Sequence, residues 1–177
     1  MKREQLEHLI RAAGTIAQDD EIVVIGSQAI LGQFPNAPVD LLRSMEADVY
    51  PKNKPELADL IDGSIGEGSP FHTSFGYYAQ GVGEHTAVLP RGWQERVFVV
   101  RSPATRGTSG LCLEVHDLVI SKLVAGREKD MEFGRVAASH GLVDGELLRA
   151  RLVATEIDRP LRDAVLVRIS RIFDGRT

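Results

Sequence analysis

Four residues could share one piece of chemistry. Gly26 and Ser27 follow the apolar run from Ile22 to Ile25, and Glu46 and Asp48 come 19 residues after that serine. In a strand, residues i and i+2 point to the same side, so Glu46 and Asp48 would aim both carboxylates at one place. Two such groups suit a hard divalent cation such as magnesium, which takes few protein carboxylates and fills its shell with water and phosphate oxygens. A glycine lets backbone approach a phosphate closely, and a serine opening a helix sits where free amides and the helix dipole favour negative charge. Together they read as a site for metal-assisted transfer at a phosphate. The same residues would also serve as an ordinary helix cap and two solvated acids.

The elements that must position these residues can be read from periodicity. Leu6, Leu9, Ile10, Ala13 and Ile16 recur at helical spacing, and Gln18 to Asp20 ends that helix. Ile22 to Ile25 is a short strand covered on both faces, Ser27 to Leu31 a short helix, and Glu46 to Tyr50 a strand stopping at Pro51. Lys54 to Ile61 reads as a helix with Pro55 in its first turn. The glycine-rich stretch 62–83 reads as a long loop or a hairpin with wide turns. Strands are expected at Thr86–Leu89 and Arg96–Val100 around the turn Pro90 to Trp93, with one more short strand at Leu111–Leu113. Helices then follow at about 115–126, 129–139, 145–153 and 160–173. The expected class is α+β, a mixed sheet flanked by helices in residues 1–113 and a helical portion in 114–177, packed as one compact unit.

Bulk properties set limits on function. No apolar run approaches the ~20 residues of a membrane span, so a cytoplasmic protein without a membrane partner is expected. The single cysteine, Cys112, reads as a small buried apolar residue, and no disulfide can form within the chain. The net charge of -4 is uneven. Residues 1–90 hold 6 Lys and Arg against 13 Asp and Glu, while residues 91–177 hold 15 against 12. An acidic half able to hold cations, followed by a mildly basic half, suits a polyanionic substrate better than the total suggests.

Other candidates carry less. The five histidines show no metal-ligand spacing, and Gly66 to Gly68 lacks the Gly-Lys-Ser/Thr ending of a phosphate-binding P-loop. Phe71, Phe75, Tyr77 and Tyr78 read as packing beneath a long connection, and Trp93 as an anchor between sheet and helices. Arg91 and Arg96 flank that tryptophan, and one of them could reach phosphate.

Gly26 and Ser27 with Glu46 and Asp48 resemble the signature of the polymerase-beta-like nucleotidyltransferase superfamily, and the segments Asp117 to Lys122 and Arg127 to Asp130 resemble the later motifs of its AbiEii-type branch. The resemblance spans about residues 22–135, with Leu89 to Arg96 similar to small uncharacterised members. It implies two magnesium ions held by Glu46 and Asp48, and a nucleoside triphosphate held by Gly26, Ser27 and Lys122. Asp117 would orient Lys122 or a neighbouring backbone group, Arg127 would support the site, and Asp130 would join in metal binding or activate the acceptor hydroxyl. It further implies transfer of a nucleoside monophosphate to an acceptor such as tRNA, in a toxin neutralised by an antitoxin protein. This sequence departs from the pattern twice. Glu46 stands where aspartate is more usual, and no third carboxylate is found on the strands expected at Thr86–Leu89 and Arg96–Val100, Glu95 being at a strand edge. Two other readings remain open: a nucleotidyltransferase-like fold without turnover, serving in binding or regulation, and a nucleic-acid-binding protein using its basic half.

Overall fold

The computed structural model describes residues 1–174. Residues 175–177, which close the helical portion expected over 114–177, lie outside the described residues.

Five strands form one mixed sheet in the order β3-β2-β1-β5-β4. β1 (Glu21–Val24) runs between β2 (Glu46–Pro51), which is antiparallel to it, and β5 (Ser109–Cys112), which is parallel. β3 (Tyr78–Gly81) lies parallel to β2, and β4 (Phe98–Val100) forms the other edge, antiparallel to β5. The position of β1 explains its sequence, because Ile22, Val23 and Val24 are all buried and a strand covered on both faces has no solvent side to mark with polar residues. The amphipathic α1 (Arg3–Ala17) buries Leu6, Leu9, Ile10 and Ala13 and contacts β2, β5 and α3 (Ala58–Ile65).

The glycine-rich stretch departs from expectation. α3 runs to Ile65, α4 (Pro70–Phe75) follows with Ser69 as its cap and Pro70 in its first turn, and β3 then pairs with β2. The glycines punctuate these elements. Gly76, at φ 74°, ends α4, and Gly81 sits where a Cβ would come within 1.9 Å of the Ala58 carbonyl oxygen. The strand expected at Thr86–Leu89 is absent: residues 82–92 are a connection, and Trp93–Arg96 is a 3-10 turn leading into β4. Trp93 is partly buried against the core, in keeping with an anchoring role.

After β5 the chain is helical. α2 (Ile30–Gln33) belongs to the first part, and α5 (Val115–Ala125), α6 (Glu128–Ser139), α7 (Gly145–Val153) and α8 (Arg159–Phe173) make up the second. Side chains cap three of these starts: Glu114 accepts from the amides of His116 and Asp117, Asp144 from Leu147, and Asp158 from Leu161. One set of buried apolar residues runs from Leu6 through Leu118 and Ile120 to Ile169, joining sheet and helices.

Candidate functional site

The site lies where the C-terminal end of β1 meets the start of β2. Because these strands are antiparallel, the turn after β1 falls beside Asp48, and the Ile25 amide donates to the Asp48 carbonyl at 3.0 Å. A Cβ on Gly26 would lie 1.8 Å from Asp48 Oδ2, so only glycine allows this approach. Ser27 opens a 3-10 turn, Ser27–Ala29, that passes directly into α2.

The opposite wall comes from α5 and α6. Gly126 ends α5 in the left-handed region (φ 68°), donating its amide to the Lys122 carbonyl, and this turns the chain back at once into α6. The reversal brings Asp130 under Lys122. Lys122 Nζ donates to Ser27 Oγ at 2.8 Å and lies 3.5 Å from Asp130 Oδ1, while its ammonium sits 4.8 Å from the centre of the Phe133 ring. Arg127 closes on the same carboxylate, with Nε 2.6 Å from Asp130 Oδ2. Asp130 is fully buried, and the Lys122 side chain is only 11% exposed.

Between the walls is a cleft of about 790 Å³ lined by Gly26, Ser27, Glu46, Asp48, Gln80, Lys122, Arg127, Lys129 and Phe133, among others. One side is acidic and the other basic. Burial, together with the charge of Glu46, pushes the Asp48 carboxyl up to about 6. Burial also pulls the Lys122 ammonium below its ordinary value, against the opposing pull of Asp130 and Asp48. Burial works to raise Asp130 as well, but Arg127 and Lys122 outweigh it and hold its carboxyl below the usual range. The Tyr78 hydroxyl donates to Glu46 Oε2 at 2.9 Å, and burial followed by that contact pushes the phenol up to about 12.

Among the described residues no group of three or more His, Cys, Asp and Glu side chains could hold a metal ion. Glu46 and Asp48 are a pair, close enough to share a proton, and Asp48 is short of compensating positive charge. That donor set fits a hard divalent cation completed by phosphate and water oxygens. β3 now explains why no third acid is evident. The neighbour of β2 is Tyr78–Gly81, and the residue opposite Asp48 is the amide Gln80. Glu95 lies in the 3-10 turn before β4 and does not line the cleft.

The fold therefore brings Gly26, Ser27, Glu46, Asp48, Lys122, Arg127 and Asp130 together. Asp130 is packed beneath the cations and is not among the residues that line the cleft, and its carboxylate is engaged by Lys122 and Arg127. Asp117 makes no contact with Lys122. Five residues apart, the two lie about 140° apart around α5. Asp117 instead accepts from Arg96 at 2.8 and 3.0 Å and lies 3.1 Å from Arg151 Nε, which removes Arg96 as a phosphate ligand. Arg91 does not line the cleft either. Sequence reasoning missed Arg43 and Gln80, which line the cleft, and Tyr78. Recognising β3 would have revealed the last two, whereas Arg43 has no local signature.

Asp48 makes the metal-free protein sensitive to pH. A carboxyl that titrates near 6 when folded and in the ordinary aspartate range when unfolded holds its proton more tightly in the native state. Its contribution is complete below the ordinary aspartate range and is lost as pH rises through about 6, amounting to at most about 3 kcal/mol. In chelator, wild type should lose stability relative to Asp48→Asn between pH 4.5 and 7, as read by thermal melts. A gap that stays constant over this range would show that Asp48 is not perturbed.

The mixed sheet, its flanking helices and the position of this cleft make a nucleotidyltransferase-like α+β fold. Residues 4–168 match the family described as "Nucleotidyltransferase of unknown function (DUF6036)", and the chain belongs to that family. No curated protein and no solved structure matches it. No described helix is long and apolar enough to cross a membrane.

Proposed function

We propose that the protein is a divalent-cation-dependent nucleotidyltransferase that moves a nucleoside monophosphate from a nucleoside triphosphate to an acceptor hydroxyl. The observation that carries this reading is the Lys122–Ser27 contact facing the Glu46 and Asp48 pair across one cleft. Gly26 and Ser27 admit the triphosphate, and Lys122, held by Asp130, supplies a fixed positive charge against it. Arg127 lies at the mouth with its side chain 62% exposed, placed to close on the outer phosphates. Glu46 and Asp48 would hold magnesium, which when bound neutralises charge on the phosphates. The acceptor oxygen bonds to the α-phosphorus, pyrophosphate leaves toward Ser27 and Lys122, and the hydroxyl proton passes to water.

Resemblance to the AbiEii-type branch supports tRNA as the acceptor and a cytoplasmic toxin restrained by an antitoxin protein. The exposed cations Arg43, Arg127 and Lys129 along the cleft favour a polyanionic acceptor. Gln80 opposite Asp48 favours a second reading, in which the site binds a triphosphate without turning it over. The test is metal-dependent incorporation of each labelled nucleoside triphosphate into total RNA and into protein. Incorporation into tRNA is expected. Binding without incorporation of any of the four nucleotides would select the second reading.

A further inference from the structure

The acidic half of the site depends on where Glu46 points. Glutamate has one more rotatable bond than aspartate, so its carboxylate must be held in place to share a cation with Asp48. The contact that holds it comes from β3, within the glycine-rich stretch whose sequence reads as a long loop or a hairpin with wide turns. Tyr78 stands directly opposite Glu46 in the parallel pairing of β3 with β2, and its hydroxyl donates to Glu46 Oε2 at 2.9 Å. This occupies one carboxylate oxygen and leaves Oε1 for another partner.

Tyr78 is itself braced. The His72 ring, on α4, lies 4.6 Å from the Tyr78 ring, and His72 Nδ1 accepts the Gly68 amide at 3.0 Å. The neighbouring aromatics go elsewhere: Tyr77 is buried and pairs with His8 Nδ1 at 2.7 Å, in a cluster with Phe71 and Phe75. Of the two adjacent tyrosines, one serves the core and the other serves the cleft.

We propose that Tyr78, braced by His72, is a positioning residue that orients the Glu46 carboxylate so that Glu46 and Asp48 form one cation site. This rests on reading the pair as a cation site. Partners that orient a ligand from behind commonly govern metal affinity by about 10- to 100-fold. The probe is Mn2+ alone, titrated into the full chain, with bound ion counted by electron paramagnetic resonance and folding followed by thermal melts. Wild type should bind Mn2+, and the Glu46→Gln/Asp48→Asn double variant should not. Tyr78→Phe, which deletes only the hydroxyl, should weaken binding about 10-fold with a melting temperature within about 2 °C of wild type. Wild-type Mn2+ affinity in Tyr78→Phe overturns the positioning role and leaves the cation site standing. If wild type binds no more Mn2+ than the double variant, the cation site and the positioning role fall together. Should Tyr78→Phe melt far lower, His72→Ala provides the second measurement, because it removes the brace and leaves the hydroxyl: a cation affinity matching wild type would overturn the proposal.

Discussion

Asp48→Asn should abolish nucleotide transfer while leaving the metal-free protein at least as stable as wild type. The substitution keeps the shape of a side chain whose Oδ2 occupies the space opened by Gly26, so no packing is lost. What it removes is one of the two charges that define the acidic wall. Transfer of a phosphoryl group is mostly positioning and charge neutralisation, and loss of one such element typically costs about 10³-fold or more in turnover. The Asp48 charge is also unfavourable when no cation offsets it, because burial and Glu46 both oppose it. At pH 7 in chelator the asparagine variant should therefore melt no lower than wild type, and magnesium should raise the melting temperature of wild type alone. Retention of more than a tenth of wild-type incorporation would remove Asp48 from the reacting centre.

This opposition between stability and activity explains which parts of the site were legible in the sequence. Gly26, Ser27, Glu46 and Asp48 are chemically costly together; the first two follow a hydrophobic strand run and the last two alternate along another strand, so type and spacing revealed them. The helix from Arg3 to Ala17 was equally readable, because Leu6, Leu9, Ile10 and Ala13 recur at helical spacing and are buried together. β3 was not. Tyr78 to Gly81 is only four residues long, lies at a sheet edge and is flanked by glycines, so its parallel pairing with β2 is fixed by contacts distant in sequence. Thr86–Leu89 shows the reverse error, since it has strand-like residues but no neighbouring strand to pair with.

The roles of the acids were less legible than their presence. Asp117 and Asp130 lie on successive helices; the five-residue spacing turns Asp117 about 140° away from Lys122, but spacing alone cannot bring Asp130 to it. Gly126 decides the matter: by turning α5 into α6 it places Asp130 beneath the Lys122 ammonium, whereas Asp117, one turn and a half earlier, faces α7 and the connection before β4. The acidic and basic walls are therefore built differently. Glu46 and Asp48 are exposed to one another's repulsion, while Lys122 and Arg127 opposite are both tied to one buried carboxylate, Asp130.

Asp117→Ala should do the opposite of Asp48→Asn. The Asp117 side chain is 1% exposed and faces two guanidinium groups, Arg96 and Arg151, that are themselves about four-fifths buried. Arg96 also donates to the Arg91 carbonyl at 3.2 Å, and the Arg91 amide donates to the Ala154 carbonyl at 2.9 Å, so this cluster fastens the connection before β4 to α5 and α7. Removing the carboxylate leaves two buried cations facing each other without compensation, which costs about 3–5 kcal/mol. For a chain of this length that is a large share of the total stability and lowers the melting temperature by roughly 10 °C. Asp117→Asn, which retains hydrogen-bond acceptance but not charge, should fall between the two. Below its melting point Asp117→Ala should still bind Mn2+ with wild-type affinity, because the cluster touches neither Glu46 nor Lys122. If Asp117→Ala melts with wild type but loses transfer, Asp117 acts at the reacting centre and the structural role assigned to it fails. The pair of variants thus separates two buried aspartates of similar sequence character: burial pushes both carboxyls up, but Asp48 faces a like charge and serves the cleft, whereas Asp117 compensates two buried guanidinium groups and stays out of the cleft.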